Sequence, residues 1–225
     1  RQRQMCIRDS HRQGQEAQNQ GDNRARNYTR TAPNPQQVDG RSVLGKLVYA
    51  PNAQQRFKLT VEGNEDYGRI EALSGIDARS PSASQRILSQ DGRDHQTRAR
   101  VSLRHELDAL DTALADDLFW QLYRQDSASL QRTDELRGNT TRRHNEHHFD
   151  QRVYGLLVNA HKAIDTGTLR HDITYGLEGS WTDTREKRDG YSLNLANGAV
   201  SKLVGQDLFP CLLYTSPSPR DKRQS

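Results

Sequence analysis

Three segments of this chain alternate apolar and polar residues with a period of two, and this pattern restricts the possible folds most strongly. They are residues 56–63 (RFKLTVEG), 98–107 (RARVSLRHEL) and 171–181 (HDITYGLEGSW). In the first of them Phe57, Leu59 and Val61 point to one side, and the residues between them point to the other. A helix, with a period of 3.6 residues, would mix the two sets. The pattern therefore predicts β-strands with one apolar face.

Each clean strand has a less regular partner close to it in the sequence, which predicts three hairpins. The partner strands and the short connections that join each pair are residues 42–50 with 51–55, 118–125 with 108–117, and 149–160 with 164–168. Gly167, in the third connection, suits a turn that needs a positive φ. The second connection (DALDTALADD) has an alternative interpretation as a helical turn.

Long polar stretches separate the hairpins, and we expect them to be loops. They are residues 72–96, residues 132–147 (RTDELRGNTTRRHNEH) and the chain from residue 182 onward. Outer-membrane barrels combine short periplasmic turns with long extracellular loops, whereas soluble sandwiches have shorter strands and short loops at both ends. The predicted fold is therefore all-β: an antiparallel transmembrane β-barrel segment of about six strands, with short periplasmic turns and long extracellular loops.

The composition agrees with a barrel wall better than with a soluble core. Only 32% of the residues are hydrophobic, and the net charge is a modest +4. A wide barrel needs apolar residues on its outer face alone, because its inner face meets water. The sequence has no apolar run of about 18 residues, which excludes a transmembrane helix, and RQRQMCIRDS at the N-terminus does not resemble a signal peptide.

Both ends of the chain are predicted to be translated sequencing adapter. Residues 1–10 back-translate into a sequence resembling a transposase library adapter. Residues 211–221 (CLLYTSPSPRD) back-translate into its partner on the opposite strand, and residues 222–225 would be index sequence. We therefore expect residues 1–10 and 211–225 to be non-native, and residues 11–210 to be part of one receptor barrel domain.

Removing the two adapter segments changes what the composition implies. Cys6, Cys211 and Met5 all lie in them, so the rest of the chain has no cysteine for a disulfide or a thiolate site. The remaining acidic and basic residues are equal in number, which leaves a formal net charge of zero. The basic pI is therefore no argument for nucleic-acid binding, and we expect no nucleic-acid partner.

Aromatic residues recur near both ends of the predicted strands. Some lie close to the short turns and others lie further along, namely Tyr49, Phe57, Phe119 and Trp120 in the first group and Tyr67, Tyr154, Tyr175 and Trp181 in the second. Aromatic girdles mark both interfaces of a membrane barrel. The alternative explanation is the general preference of aromatic residues for strands.

Several segments, taken in order, resemble TonB-dependent outer-membrane receptors, and most closely the branch that takes up haem, haemoglobin and transferrin or lactoferrin iron. They are RTAPNPQ (30–36), SVLGKLVYAP with RFKLTVEG (42–63), FDQRVYG (149–155), ITYGLEG (173–179) and DLFP (207–210). The resemblance covers essentially all of residues 11–210. It implies a barrel of about 22 strands with an N-terminal plug domain.

The resemblance also implies what this chain lacks. The plug and the TonB box are not in the sequence, and neither are the FRAP and NPNL boxes with the haem-coordinating histidine that the family carries between them. We therefore carry over no haem ligand and expect no structurally bound cofactor, with haem as a transported ligand.

The densest group of potential ligands is His144, His147 and His148, in a predicted extracellular loop. Imidazole ligates haem iron and other transition metals. His144 and His148 would share one face of a helix, but Gly138 and the polar residues after it favour a loop. These histidines are the predicted ligand-binding residues, and a solvated polar loop is the alternative. No metal-ion site is predicted.

The polar side of the clean strands has two interpretations. It carries Arg56, Lys58, Arg98, Arg100 and Arg104, with acidic residues interspersed. One interpretation is a hydrated barrel wall, and the other is a basic patch for an anionic ligand. No catalytic constellation stands out, so we predict that the chain is not an enzyme.

The predicted function is energy-coupled uptake, across the outer membrane of a Gram-negative bacterium, of haem or of iron from haem and iron proteins. Its partners would be the TonB complex, reached through the missing N-terminal region, a host haem or iron protein or free haem, and the lipid bilayer. Two alternatives stay open. One is a TonB-dependent receptor for a siderophore or another nutrient, and the other is an enzymatic or adhesive outer-membrane barrel.

Overall fold

The chain forms one antiparallel sheet in which every strand pairs with its neighbours in the sequence. The structure, a computed structural model, describes residues 2–13, 21–77 and 82–202. The sheet has eight strands in chain order and is open, with the first and last strands at its edges. The strands are β1 (Gln2–Gln13), β2 (Gln36–Tyr49), β3 (Gln55–Glu71), β4 (Ile87–Leu107), β5 (Asp117–Arg137), β6 (Thr141–Thr166), β7 (Leu169–Asn194) and β8 (Val200–Lys202). The predicted all-β antiparallel class is confirmed, and a single 3₁₀ turn at Leu73–Gly75 is the helical element in the described part.

The six predicted strands all form, as β2 to β7, and each is longer than predicted. β4 and β5 have 21 residues each, and β6 and β7 have 26 each. Large parts of the three predicted long loops therefore lie in strands. Residues 87–96 belong to β4, residues 132–137 and 141–147 belong to β5 and β6, and residues 182–194 belong to β7. The prediction of long loops was therefore wrong for most of residues 132–147, for residues 182–194, and for the last ten residues of the stretch 72–96.

The hairpin between β5 and β6 shows the physical reason. Gly138 and Asn139 have φ values of 53° and 58°, and the Thr140 N–H donates to the Arg137 carbonyl at 3.2 Å. Two successive positive φ values are the conformation of a type I′ turn, whose twist suits a tight hairpin. Backbone pairing then continues on both sides of the turn, because a β-ladder does not require apolar side chains.

The short connections follow the prediction more closely. Gly167 has a φ of 65° in the two-residue connection between β6 and β7, which confirms its predicted positive φ. The connection after β4 contains no helical turn, and Ala109 and Asp111 have positive φ there. This connection is tied to β6, because Lys162 Nζ lies 2.5 Å from the Asp116 carboxylate.

Strand β1, which includes most of the predicted N-terminal adapter, pairs with the edge of β2 that does not pair with β3. The pairing runs across the predicted boundary at residue 10, with Ser10 opposite Gly40. Unpaired backbone groups on an edge strand pair with many sequences, so a non-native segment can also pair there. The predicted C-terminal adapter (211–225) and the DLFP motif lie outside the described residues.

The described residues form almost no apolar core. The buried apolar residues of the described part are three alanines, Leu73 and Ile76; the alanines are Ala32, Ala115 and Ala160. No large described side chain is fully buried. Within the described residues, no helix has the length and apolar character needed to cross a membrane. The sheet therefore leaves most of its large apolar side chains at the surface.

Candidate membrane-facing surface and histidine cluster

Apolar side chains on six consecutive strands are aligned by the strand register on one face of the sheet. One row across β2 to β6 consists of leucines: Leu47 pairs with Leu59, then Leu103, Leu122 and Leu156. Neighbouring rows on the same face add further apolar residues, among them Val43, Tyr49, Phe57, Val61, Val101, Trp120, Tyr154, Val158, Tyr175, Leu177 and Trp181. We call this set the apolar band, and the side of the sheet that carries it the band face.

The band face is the more exposed side of the sheet, which reverses the arrangement of a soluble protein. On β4, Val101 and Leu103 are exposed, whereas Arg100 and Ser102 on the opposite face are half-buried. On β7 both faces are exposed around the band, where Trp181 is 74% and Leu177 is 68% exposed. Soluble monomers rarely expose a contiguous apolar patch above a few hundred Å². A surface of this kind requires an apolar environment or a partner that covers it.

Stacked rings border the band near the short connections. Phe57 stacks on His105 with ring centroids 4.0 Å apart, and Trp120 meets the edge of the same imidazole at 5.6 Å. His105 therefore lies among aromatic rings on the band face. At the other border of the band Tyr154 pairs in register with Trp181. The aromatic residues thus lie at both limits of the apolar band on these strands.

The opposite face, which we call the polar face, holds a carboxylate surrounded by three cations. Glu106 lies 3.2 Å from Arg56, 2.5 Å from Lys58 and 2.9 Å from Arg104. The Arg104 guanidinium also lies over the Phe119 ring, 3.6 Å from its centroid. Lysine and arginine stems pack while their charged ends stay hydrated, so this arrangement suits a wet surface.

Tyr123 covers a glycine on the polar face. A Cβ at Gly155 would overlap the Tyr123 ring, and the Arg100 guanidinium lies 4.7 Å from the centroid of that ring. Aromatic side chains that cover a cross-strand glycine fix register in β-barrels. The three groups therefore form one packed unit between β4, β5 and β6.

The predicted site histidines lie on strand β6 and not in a loop, so their predicted location was wrong. His144 and His148 are on the band face, and His147 points to the polar face, because side chains alternate along a strand. At about 3.3 Å per residue, His144 is about 33 Å along the strand from Tyr154, and His148 is about 20 Å from it. Both lie well beyond the apolar band.

His144 is held by two carboxylates. Its Nδ1 lies 2.8 Å from Asp134 and its Nε2 lies 3.1 Å from Glu146. Partial burial by itself would lower the pKa of His144, but the hydrogen bonds to the two carboxylates outweigh it and raise that pKa above the ordinary histidine value. Protonated His144 can donate to both carboxylates, so the cross-strand contact is strongest in the charged form.

Glu146 links the rest of this histidine cluster, which consists of Arg132, Asp134, His144, Glu146 and His148. The Glu146 carboxylate lies 2.7 Å from Arg132 Nε and 3.3 Å from His148 Nε2. Burial opposes ionisation of Glu146, yet its hydrogen bonds to His144 and His148 and the charge of Arg132 lower its pKa. Sequence reasoning missed the two acidic residues and Arg132. The signal that could have found them is charge complementarity between the two arms of a hairpin centred on residues 138 and 139.

This geometry gives the three predicted histidines no common binding point. His147 is on the other face, and the ring nitrogens of His144 face carboxylates. In the described ranges, no group of three or more histidine, cysteine, aspartate or glutamate side chains is arranged to hold a metal ion. A ligand role for His144, His147 or His148 therefore stays a prediction, and the cluster acts structurally between β5 and β6.

Comparison with known proteins does not assign this chain to a family. No protein-family model matches this chain, and no curated protein matches it. The resemblance to TonB-dependent receptors therefore rests on the sequence segments given above.

Proposed function

We propose that this chain is a section of the wall of a TonB-dependent receptor barrel in a bacterial outer membrane, serving the uptake of haem or of iron from haem and iron proteins. The observation that carries the membrane part of the proposal is the apolar band, which lies on the exposed face and is aligned over six strands. The receptor family and the cargo rest on the sequence resemblance.

The dimensions of the band support a membrane-spanning wall. On β7 the band runs from Ile173 to Trp181, and on β4 from Ala99 to Leu107, which is nine residues in each case. A strand tilted by about 45° crosses a bilayer with roughly 9–11 residues. Neighbouring strands bring their apolar segments together in register, and the strip they form narrows on β5, where Arg124 lies on the band face between Val101 and Tyr154.

In this proposal the two faces have different environments. The band face contacts lipid, and the polar face, with Glu106 and its cations, borders a water-filled interior. The strands beyond the band, including the histidine cluster, extend into the external medium. The resemblance implies that plug and external segments bind the cargo, and that TonB drives rearrangement of the plug.

The two tryptophans allow a direct test of the face assignment. Trp120 and Trp181 are both on the band face. A variant carrying Trp120→Phe keeps Trp181 as its single tryptophan. The matched variant, Trp120→Phe with Trp181→Phe and Ser180→Trp, moves the ring by one residue to the polar face. Each is reconstituted in phosphatidylcholine vesicles with brominated acyl chains.

We expect Trp181 fluorescence to be quenched by the brominated chains, and the tryptophan at position 180 to be quenched mainly by aqueous iodide. The reason is that successive side chains of a strand lie on opposite faces. Equal accessibility of both tryptophans to iodide would contradict a lipid-facing band, and equal quenching by lipid would contradict a hydrated polar face.

The receptor family and its cargo need a separate test, which is the contiguous genomic reading frame. We expect an N-terminal plug with a TonB box upstream, and an FRAP–histidine–NPNL stretch downstream. A frame that encodes a plug but lacks this stretch would favour a siderophore or other nutrient, and a frame without a plug would refute energy-coupled uptake.

A further inference from the structure

A groove lies on the band face where the row of leucines reaches β7. Gly179 takes the place in this row that leucines take on β2 to β6, and no atom lies within 4 Å of the position of a Cβ there. The groove has a volume of about 670 Å³, and the residues that line it include Leu103, Leu122, Leu156, Tyr154 and Trp181. An extended hydrocarbon chain suits a groove with such walls, because it buries apolar surface along its whole length.

Two arginines mark the end of this groove that is nearer to the histidine cluster. Along the band face of β5, Arg124 is the first residue beyond Leu122, and along that of β6, Arg152 is the first residue beyond Tyr154. An arginine on a lipid-facing surface is costly at the bilayer midplane, and the cost becomes small near the interface. The two arginines therefore indicate the depth at which lipid headgroups begin.

Arg124 and Arg152 share a single carboxylate. Asp126 lies 2.8 Å from Arg124 Nε and 2.6 Å from Arg152 Nε. The side chains of the two arginines are 46% and 49% exposed. A guanidinium has five N–H donors, so both arginines keep donors for a further acceptor. A phosphate group can accept hydrogen bonds from two guanidiniums at once and would occupy these donors.

The charges around these arginines are balanced, which favours a zwitterionic partner over an anion. A depression of about 710 Å³ lies directly beyond the groove, and the charged residues that border it are four basic and four acidic. Asp183, opposite Arg152, lies 3.7 Å from Arg185. Asp150 is exposed and forms no ion pair within 4 Å with another described residue. It lies two residues beyond Arg152 on the same face, about 6.6 Å along the strand.

We infer that the groove binds one phosphatidylethanolamine molecule, with an acyl chain along the leucines, its phosphate on Arg124 and Arg152, and its ammonium on Asp150. The ethanolamine headgroup separates phosphate and ammonium by two carbons, which suits this spacing of cation and carboxylate. Phosphatidylcholine has no N–H group to donate to Asp150, and phosphatidylglycerol has no cation. The inference rests on the proposed wall function and deepens it, because a lipid reaches the band face only if that face lies in a bilayer.

The test measures which lipid lies next to Trp181 in the full chain. With Trp120→Phe, Trp181 is the single tryptophan, and it borders the groove. The chain is reconstituted in phosphatidylcholine vesicles that contain a small, fixed fraction of a lipid with brominated acyl chains. The brominated lipid is phosphatidylethanolamine, phosphatidylglycerol or, as the reference, phosphatidylcholine itself. Quenching of Trp181 by each brominated lipid gives its affinity for this surface relative to phosphatidylcholine.

We expect phosphatidylethanolamine to be preferred about fivefold over the other two lipids, the factor for one unit-charge contact near 4 Å in water. Asp150→Asn should remove this preference, whereas Asp66→Asn, at an exposed position on the polar face, should keep it. Gly179→Leu should also remove it, because the new side chain fills the groove. Its control is Gly45→Leu, at a band-face glycine outside the groove. Circular dichroism checks that each variant retains the sheet.

Three outcomes would overturn the inference. They are equal quenching by all three brominated lipids, stronger quenching by phosphatidylglycerol, which would indicate a site for an anionic lipid, and a preference that survives both Asp150→Asn and Gly179→Leu. The same measurement separates this failure from failure of the wall proposal. If all three brominated lipids quench Trp181 equally, the band faces lipid, so the wall proposal stands and the lipid site falls. If none of them quenches Trp181, both fall.

Discussion

Replacing Leu177 by arginine tests whether the apolar band is embedded in lipid. Leu177 lies in the middle of the band on β7, between Ile173 and Trp181, and is 68% exposed. Only about a third of its surface contacts protein, so the packing lost in water is at most about 1 kcal/mol out of the 1.5–3 kcal/mol for a fully buried leucine. In lipid, an arginine near the bilayer midplane costs about 2–4 kcal/mol, a factor of roughly 30 to 900 in the folding equilibrium.

The assay is urea unfolding of the chain in phosphatidylcholine vesicles, followed by tryptophan fluorescence. Ser180→Arg is the control, because it adds the same charge to the same strand at an exposed position on the polar face. We expect it to change the free energy of unfolding by less than about 0.5 kcal/mol, as for ordinary surface substitutions. If Leu177→Arg and Ser180→Arg destabilise the chain equally, the reasoning from the band face is refuted.

Three further predictions concern packing, pH and solubility. Gly155→Ala should lower the free energy of unfolding by about 1–3 kcal/mol, because the new methyl group overlaps the Tyr123 ring. Gly179→Ala is the control and should leave the free energy of unfolding unchanged, because no atom lies within 4 Å of its new Cβ. An unchanged free energy of unfolding for Gly155→Ala would contradict the packed unit. The pKa of His144 is raised in the folded chain, so the stability that its protonated ring contributes is complete below about pH 6.5 and is lost as the pH rises through the raised pKa. His144→Gln should remove this part of the pH dependence of the urea midpoint. Identical pH profiles for the native chain and the variant would refute the prediction. Residues 11–210 alone should associate in detergent-free buffer and be monomeric in detergent, because the band face is exposed; light scattering measures both states. A monomer that melts cooperatively in detergent-free buffer would contradict the exposed apolar band.

The alternation of apolar and polar residues was sufficient to predict the strands that carry the band. Leu59 was placed on the apolar side of its strand, and the structure pairs it directly with Leu103 of the next strand. The alternation carries this information because each strand has one apolar face, and a shift by one residue would exchange the two faces. The sequence also predicted Gly167 correctly, since a two-residue connection needs a residue that accepts positive φ.

The polar continuations of the strands could not be predicted in this way. Where both faces of a strand are polar, hydropathy has no period, and residues 132–147 have the composition of a loop. The structure pairs them through a turn at Gly138 and Asn139 and through opposite charges such as Arg132 and Glu146. Cross-strand pairs of this kind stabilise a ladder by a few tenths of a kcal/mol each, which single-sequence patterns do not register.

The histidine cluster depends on the same register, which explains why its composition was visible and its geometry was not. His144, His147 and His148 are close in sequence, but alternation puts His147 on the other face. The partner of His144 is Asp134, ten residues earlier, and this distance in sequence is set by the position of the turn. Predicting the site therefore required the turn to be identified first.

The strand order of the sheet, which follows the chain without a crossover, determines how such a wall can be assembled. Each strand pairs with the one made just before it, so every register is set between strands that are neighbours in the chain order. Assembly can then proceed by adding one hairpin at a time to an existing edge, in the order of synthesis. In this order each completed hairpin leaves an edge for the next strand, and among the described residues the outer edge of β7 (Leu169–Asn194) is paired with β8 only at Tyr191–Leu193.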